Sequence, residues 1–375
     1  MYNQLYNKVK RYCILWRIFM KSVFLNLDLK KNQNFLLSFQ ILVFNLFFMS
    51  KRILTWIKPT DSQIHLWNLF WAVKPFLKMA EENPDAEIFM FLANMHALTA
   101  LHDWEAIRNN SINIVKLYAA CGADLNRFYI YNPADIPAHA QLNWVFSCLT
   151  IMWTMERMHS YKEALAKWNA WTISVWTFNY PILMAADILL YDADYVPVGK
   201  DQKQHVEYAR DFAEKFNREY GETFKVPEPL IDDRVATIIW SDWRKMSKSY
   251  NNYIWLLDDE KAVLKRVKQI PTSTQTVEEP KNPDECNVYQ LCRLFLTPEE
   301  DEALRAKYLK GGLSFKEAKD YLFEKIMETL TPIQKKYAEI SDEEIMKILK
   351  KWKESVSPIA EKKVEEVYKK VGFIL

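Results

Sequence analysis

The sequence predicts an α/β protein with a doubly wound parallel sheet, followed by a domain made of helices. Two observations carry this prediction. From residue 51 to about residue 250, short continuous apolar runs alternate with longer helical segments, which is typical of parallel strands buried on both faces. After about residue 256 the strand-like runs stop, and polar helix-start signals recur at short intervals.

The first part of the chain supplies the strands and the helices that cover them. Strands are expected at Ile53–Thr55, Ile88–Ala93, Arg127–Tyr131, Tyr195–Val198 and Val235–Ile239. Helices are expected at Asn68–Met79, Ala106–Ala120, Ala138–Met158, Tyr180–Tyr191 and Gln202–Phe216. In an open parallel sheet, ligands bind outside the carboxyl ends of the strands. The residues that follow each strand are therefore the first candidates for a functional site.

Capping boxes mark the helices of the second part. In each, a Ser or Thr is followed three residues later by Glu or Gln, so that side chains can bond the exposed backbone N–H groups. The boxes begin at Thr297, Ser314, Thr331 and Ser341, and two of them place a proline at the first helical position. We expect residues 1–48 to be a spurious N-terminal extension and residues 49–250 to be a catalytic domain. Residues 251–375 are expected to form a helical domain whose last helix packs back on the catalytic domain.

Residues 1–48 differ in composition from the rest of the chain. They contain no Ala, Gly, Pro, Glu, His or Thr and are rich in Asn, Lys, Leu, Phe and Ile. A basic start followed by an apolar run is a pattern shared with signal peptides and anchors. The run Phe35–Phe48 is short and is interrupted by Gln40 and Asn45. We interpret the segment as translated upstream sequence, with Met49 as the preferred start and no membrane partner.

The overall charge gives no global sign of nucleic-acid binding. The 375 residues carry 50 Lys and Arg against 48 Asp and Glu, a formal net charge of +2. Any RNA-binding surface must therefore be local. The 5 cysteines are scattered. The Cys286 and Cys292 spacing does not suit a metal, which favours buried thiols in a reducing, cytoplasmic setting.

The most informative motif is the pentapeptide Lys245-Met246-Ser247-Lys248-Ser249. It follows an expected strand and a polar loop. Its two lysines, three residues apart among hydroxyls, suit the neutralisation of a leaving pyrophosphate, while backbone N–H groups hold a nucleotide. Ser247 and Ser249 are better interpreted as residues that order the loop than as reactive groups.

Two further stretches agree with a nucleotide site. One runs from Pro59 to Asn68 and contains His65, and the other is Gly199-Lys200-Asp201-Gln202-Lys203-Gln204-His205. With Asn179–Tyr191, these stretches and the pentapeptide resemble the bacterial tryptophanyl-tRNA synthetase family, within the class I aminoacyl-tRNA synthetases. The resemblance extends from about Lys51 to Leu375 and implies a Rossmann-type catalytic domain, ATP with Mg²⁺, and a homodimer.

The resemblance implies how ATP would be held. His65 and Asn68 would meet the phosphates at a strand-to-helix junction, with Lys245 and Lys248 holding the leaving pyrophosphate. The full expected ATP set is Thr60, His65, Asn68, Gly199, Asp201, Lys245, Met246, Ser247 and Lys248, of which His65, Asn68, Lys245 and Lys248 are expected to be catalytic. Mg²⁺ would be bridged mainly by the phosphates.

A tryptophan pocket follows from the same resemblance. Asp187 would accept a hydrogen bond from the indole N–H, and its apolar surroundings support this because a buried carboxylate needs a partner. The expected tryptophan set is Tyr180, Met184, Asp187, Val196, Val198 and Gln202. Tyr180 and Gln202 would hold the amino and carboxylate groups, and His96 and His205 are left as structural residues.

The chain has 14 Trp and only 6 Gly, and several Trp residues stand where the family has Gly or a small residue. They are Trp56, Trp67, Trp71, Trp153, Trp176, Trp240, Trp243, Trp255 and Trp352. Trp144 differs, because the family has Trp there. Our hypothesis is that a codon read as glycine in the source organism, with UGA the obvious candidate, has been translated as tryptophan. A divergent protein with a Trp-rich surface is the alternative.

Three functions stay open on the sequence. A tryptophan–tRNA ligase is favoured, in which the helical domain contacts tRNA(Trp) through the basic cluster of Lys347, Lys350, Lys351 and Lys353. A tyrosyl-tRNA synthetase shares the fold and the pentapeptide. A catalytically impaired RNA-binding relative would fit a literal Trp67. Asp61 replaces a family glycine and Lys58 a common glutamine, and Lys162 or Lys167 could also reach the phosphates.

Overall fold

The predicted parallel sheet is present. The computed structural model describes residues 50–99, 101–167, 174–199, 202–231 and 253–374. Its strands are β1 (Arg52–Ile57), β2 (Glu87–Leu92), β3 (Phe128–Tyr131), β4 (Tyr195–Pro197) and β5 (Glu228–Leu230). They pair in the order β3-β2-β1-β4-β5, and all four pairings are parallel. The order reverses direction at β1, which is where such sheets bind ligands.

Four of the expected strands are confirmed, and β5 was not predicted. It is only three residues long and contains Pro229, which cannot donate a ladder hydrogen bond. Its position at the edge of the sheet makes the missing donor tolerable. The expected strand Val235–Ile239 lies outside the described residues.

Helices cover both faces of the sheet. Those that precede β4 are α1 (Leu66–Asn68), α2 (Lys74–Glu82), α3 (Asn94–Ala97), α4 (Trp104–Ala120), α5 (Ala138–Leu149), α6 (Met152–Glu156), α7 (His159–Lys167) and α8 (Val175–Leu189). Those that follow β4 are α9 (Lys203–Tyr220), α10 (Glu260–Lys268), α11 (Asn287–Cys292), α12 (Pro298–Lys310), α13 (Phe315–Glu339) and α14 (Asp342–Lys370). A π-helical turn, Leu69–Val73, joins α1 to α2.

Two helix predictions are wrong in detail. The expected helix Ala138–Met158 breaks at Thr150, whose backbone is extended and whose hydroxyl donates to the Phe146 carbonyl at 2.7 Å. The capping box expected at Thr331 does not form, because α13 continues through Pro332. Gln334 instead donates to the carbonyls of Leu256 and Asp258, both at 2.9 Å.

The other three predicted helix starts are capped. Thr297 and Ser314 form complete capping boxes with Glu300 and Glu317. Ser341 accepts from the backbone N–H of Glu344. Acidic residues in the first turns of α12 and α14 also favour these ends electrostatically.

The last helix contacts both apolar layers that flank the sheet. Its first half contributes Ile345 and Trp352 to one layer, and its second half contributes Val356 and Val364 to the other. The indole Nε1 of Trp352 donates to the Leu125 carbonyl at 2.8 Å. Residues 51–375 accordingly cluster as one unit. The domain boundary near residue 250 stays a prediction.

None of the helices in the described residues is long and apolar enough to span a bilayer.

Candidate active site at the carboxyl ends of the strands

A histidine follows each of the first three strands. His65 comes after β1, His96 after β2 and His139 after β3. Because the carboxyl ends of parallel strands lie at one edge of the sheet, these side chains share the edge at which ligands bind. All three are buried, with exposed fractions of 7, 4 and 0 %.

His65 caps the first turn after β1. Its Nδ1 accepts a hydrogen bond of 3.3 Å from the backbone N–H of Asn68. The backbone on both sides of His65 pairs with residues 254–256, and the ring of Trp255 lies 5.9 Å from the imidazole. Asn68 itself is exposed at this junction. The two residues are therefore next to each other at a helix start, where backbone N–H groups favour anions.

The loop before His65 carries the two departures from the family pattern. The Asp61 carboxylate accepts from the Thr60 hydroxyl at 3.1 Å, so the hydroxyl expected to contact ATP has an internal partner. The Lys58 ammonium donates to the Thr99 hydroxyl at 3.1 Å. The Thr60 bond lies within the loop that is expected to hold the nucleotide, and it would have to change for that hydroxyl to donate to a phosphate. The Lys58 bond joins the start of this loop to Thr99, which follows α3.

Asp187 lies at the centre of a buried polar network. It is fully buried in α8, and its Oδ1 faces His139 Nδ1 at 2.5 Å while its Oδ2 faces His96 Nε2 at 2.9 Å. Burial alone would raise the pKa of Asp187, but the interactions with His139 and His96 lower it below its ordinary value. The carboxylate is therefore ionised at neutral pH, and each of its oxygens accepts one hydrogen bond.

The other residues of the expected tryptophan pocket lie on α8 and β4. Tyr180, Met184 and Asp187 are spaced so that they share one helix face. Met184 and Val196 are buried in the same apolar layer, against which the half-buried Val198 packs. The Tyr180 hydroxyl lies 3.3 Å from His205 Nε2, and its ring stands edge-on to His96 at 6.0 Å.

Gln202 and Gly199 lie where β4 leads into α9. The Gln202 N–H donates to the Gly199 carbonyl at 3.0 Å, and Gln202 is half-buried while Gly199 is exposed. Lys162 is exposed on α7. The remaining expected residues, Asp201, Lys245, Met246, Ser247 and Lys248, lie outside the described residues, as does the side chain of Lys167.

Sequence analysis missed His139 and Tyr191. His139 contacts Asp187, and its Nε2 lies 2.9 Å from the Tyr191 hydroxyl. A usable signal existed, because His139 follows a predicted strand as His65 and His96 do. His96, which was interpreted as merely structural, also bonds the carboxylate.

Comparison with known proteins identifies the family. A family profile described as "tRNA synthetases class I (W and Y)" matches residues 50–331. The tryptophan–tRNA ligase of Campylobacter jejuni (strain RM1221) is 36 % identical over 86 % of this chain and 99 % of the relative. That of Fusobacterium nucleatum is 38 % identical over 86 % of this chain and 98 % of its own length.

Solved structures give the same result. The tryptophanyl-tRNA synthetase of Campylobacter jejuni, complexed with ADP and tryptophan, matches with a TM-score of 0.79, 36 % identity, and coverage of 86 % of this chain and 99 % of that one. The Mycoplasma pneumoniae enzyme matches with a TM-score of 0.71 and 25 % identity, over 86 % and 98 % of the two chains. The chain therefore belongs to the class I tRNA synthetase family that comprises the tryptophan and tyrosine enzymes.

Proposed function

We propose that the chain is a tryptophan–tRNA ligase, which activates tryptophan with ATP and transfers it to tRNA(Trp). The observation that carries the choice of amino acid is Asp187, a fully buried, ionised carboxylate that is bonded by two histidines and shares a helix face with the apolar Met184. An indole N–H is a neutral donor on a large apolar ring, and it fits one acceptor in such surroundings. The near full-length likeness to tryptophan–tRNA ligases supports the same choice.

Activation forms a bond between a tryptophan carboxylate oxygen and the α-phosphorus of ATP. The bond from that phosphorus to the bridging oxygen breaks, and pyrophosphate leaves. The reaction needs positioning and charge stabilisation more than covalent chemistry. We assign His65 and Asn68 to the phosphates at the α1 junction, and Lys245 and Lys248 to the pyrophosphate.

The remaining ATP contacts are assigned to the loop ends. Backbone and side chains of Met246 and Ser247 would order the nucleotide loop. Thr60 would add a hydroxyl contact, Gly199 would allow close approach, and Asp201 would bind the ribose. Mg²⁺ would enter with ATP and neutralise phosphate charge.

The tryptophan contacts are assigned to one side of the pocket. Asp187 would accept from the indole N–H, and Met184, Val196 and Val198 would enclose the ring. Tyr180 and Gln202 would bind the amino and carboxylate groups. We further propose that the enzyme is a cytoplasmic homodimer and that its helical part binds tRNA(Trp).

Amino-acid-dependent exchange of labelled pyrophosphate into ATP tests the function. We expect exchange with tryptophan and at least about 100-fold less with tyrosine, since the pocket offers a buried acceptor for an indole N–H. The protein as written and its Trp67→Gly variant should be measured together. Exchange with tyrosine alone would indicate the tyrosyl enzyme, and no exchange by either protein would favour the impaired RNA-binding relative.

A further inference from the structure

We propose that His139 is a positioning residue for amino-acid selection, which holds the Asp187 carboxylate in the orientation that accepts the substrate's N–H. This inference rests on the proposed function, because it takes Asp187 as the indole acceptor. Both ring nitrogens of His139 are bonded within the protein, to Asp187 and to Tyr191, so neither is available to a substrate. Any effect it has on selectivity must therefore pass through Asp187.

Three buried side chains form a directed chain of hydrogen bonds. The Tyr191 hydroxyl is 2.9 Å from His139 Nε2, and His139 Nδ1 is 2.5 Å from Asp187 Oδ1. Both ring nitrogens of His139 are thus bonded. His139 begins α5, Asp187 lies in α8, and Tyr191 comes two residues after that helix ends. These hydrogen bonds therefore fix the Asp187 carboxylate from an element of the fold other than α8.

The acid–base properties of Tyr191 and Asp187, on either side of His139, indicate which atoms donate in these hydrogen bonds. Burial raises the pKa of Tyr191 far above neutrality, so the phenol keeps its proton and can donate to Nε2. An ionised carboxylate can only accept. His139 therefore donates from Nδ1 to Asp187, and its Nε2 faces the Tyr191 hydroxyl.

His96 bonds the other carboxylate oxygen of Asp187, but its surroundings differ from those of His139. Its ring borders Trp176 at 5.9 Å and Tyr180 at 6.0 Å, both of which lie on α8. Among the described residues, its Nδ1 has no hydrogen-bond partner. Each carboxylate oxygen has two lone pairs. With one bond from each histidine, the carboxylate keeps acceptor capacity for a substrate donor.

Loss of His139 would affect substrates unequally. Without His139, the carboxylate is held by His96 at one oxygen, and burial disfavours its anionic form more strongly. A substrate that donates an N–H would lose binding, whereas an isosteric substrate with sulfur in that position would lose little. A purely structural role for His139 would instead weaken both substrates to the same extent.

Equilibrium dialysis of the full chain with labelled tryptophan provides the test, with β-(3-benzothienyl)alanine as the competitor. This analogue replaces the indole N–H with sulfur, and the assay needs no ATP. His139→Leu keeps an apolar side chain of similar size, and His139→Asn keeps a donor near the Nδ1 position. Tyr191→Phe removes only the hydroxyl, and Asp187→Ala, which removes both acceptor oxygens, serves as the reference.

We expect His139→Leu to lower the preference for tryptophan over the analogue by about 10-fold, with little change for the analogue. His139→Asn should recover most of the preference for tryptophan over the analogue, and Tyr191→Phe should lower that preference about 3-fold. Equal losses for both ligands, or no loss, would overturn the proposal. If His139→Leu does not fold, an unchanged preference in Tyr191→Phe would overturn it.

Two outcomes distinguish a failure of the His139 role from a failure of the proposed function. If Asp187→Ala keeps the wild-type preference, Asp187 is not the indole acceptor and the role of His139 falls with it. If tryptophan binds selectively but pyrophosphate exchange is absent, the proposed function fails while the His139 assignment stands.

Discussion

The backbone N–H of Leu66 donates a hydrogen bond of 2.9 Å to the carbonyl of Ile254. The reciprocal bond runs from Leu256 to Ile64 at 3.0 Å. These bonds join the turn that carries His65 to the chain eight residues beyond Lys245–Met246. The bonds hold the segment that follows the pentapeptide next to the turn of His65, although the two segments are far apart in sequence.

The two pentapeptide lysines should act on the transition state. We expect Lys245→Ala and Lys248→Ala each to slow adenylate formation by about 100-fold or more, because the charge they stabilise develops on the leaving pyrophosphate. Tryptophan affinity should change less than about 3-fold. Pre-steady-state pyrophosphate release and tryptophan dialysis measure the two quantities. Lys261→Ala, on an exposed position of α10, is the control. Equal losses in rate and affinity would contradict this role.

Trp67 should oppose nucleotide binding. Its indole packs against Trp71 with centroids 5.0 Å apart and lines a small apolar cavity with Phe70 and Phe295. We expect Trp67→Gly to raise ATP affinity and the rate of adenylate formation, because glycine leaves room for adenine against the backbone. The same change should lower the free energy of unfolding by about 1 kcal/mol or more, through lost packing and helix propensity.

ATP titration and urea unfolding of the Trp67→Gly variant measure both effects. Trp144→Gly is the matched control, because Trp144 is exposed on a helix and stands where the family has Trp. It should lose stability without gaining ATP affinity. Normal ATP binding by the protein as written would remove the steric argument.

The buried indoles should differ in their contribution to stability. Trp352 Nε1 donates to the Leu125 carbonyl at 2.8 Å, whereas Trp71 Nε1 is buried with no partner in the part of the chain that the structure describes. Replacing Trp352 by Phe leaves a carbonyl without its donor and should cost about 1–3 kcal/mol. Trp71→Phe removes an unsatisfied N–H and should be near neutral. Urea unfolding of the two variants compares them, and equal losses would contradict the distinction.

Much of the fold could be predicted because strands that are buried on both faces have continuous apolar sequences. Ile88–Ala93 is such a run, and β2 matches it to within one residue. Features that depend on tertiary contacts could not be predicted. Thr331, Pro332 and Gln334 form a good local helix start, yet α13 continues because Gln334 satisfies two carbonyls elsewhere.

The same contrast applies to the candidate site. The family resemblance implied Asp187, and its apolar neighbours in the sequence supported the choice because a buried carboxylate needs a partner. The partner itself could not be predicted, because His139 lies 48 residues away in sequence and contacts Asp187 only in the folded protein. The buried network became visible only when β3 and α8 were placed together.

Asp187 should also make stability depend on acid pH. Its pKa is lowered in the folded state by His139 and His96, against the effect of burial. A group with a depressed folded pKa stabilises the fold above its unfolded pKa, and this stabilisation is lost as the pH falls through the folded value. Asp187→Asn should therefore lower the free energy of unfolding by a constant amount from pH 7 to 5. The difference should shrink below about pH 4.

Urea unfolding of both proteins at pH 7, 5 and 3.5 measures this difference. The titratable groups that face the carboxylate are His96, His139, Tyr131 and Tyr191. His139→Asn at the same three pH values shows how much of the difference depends on the bond from His139. A difference that grows towards acid pH would show that Asp187 is not held as an anion.

The basic cluster on α14 should bind tRNA without affecting activation. Lys347, Lys350, Lys351 and Lys353 are all exposed on this helix, and Lys351 additionally contacts Asn126 at 3.4 Å. Contacts between lysines and phosphates release counterions, so tRNA binding should fall steeply with salt. Replacing all four by Ala should weaken tRNA charging by about 10-fold or more and reduce the salt dependence, while pyrophosphate exchange is unchanged.

A second variant of equal charge tests whether position matters. Lys307, Lys310, Lys316 and Lys335 are also exposed, but they lie on α12 and α13. Replacing these four lowers the net charge by the same amount, so a general electrostatic effect would weaken tRNA binding equally in both variants. A loss confined to the α14 variant assigns the contact to that helix. If charging is instead lost only with the α12 and α13 lysines, the tRNA surface lies on those helices.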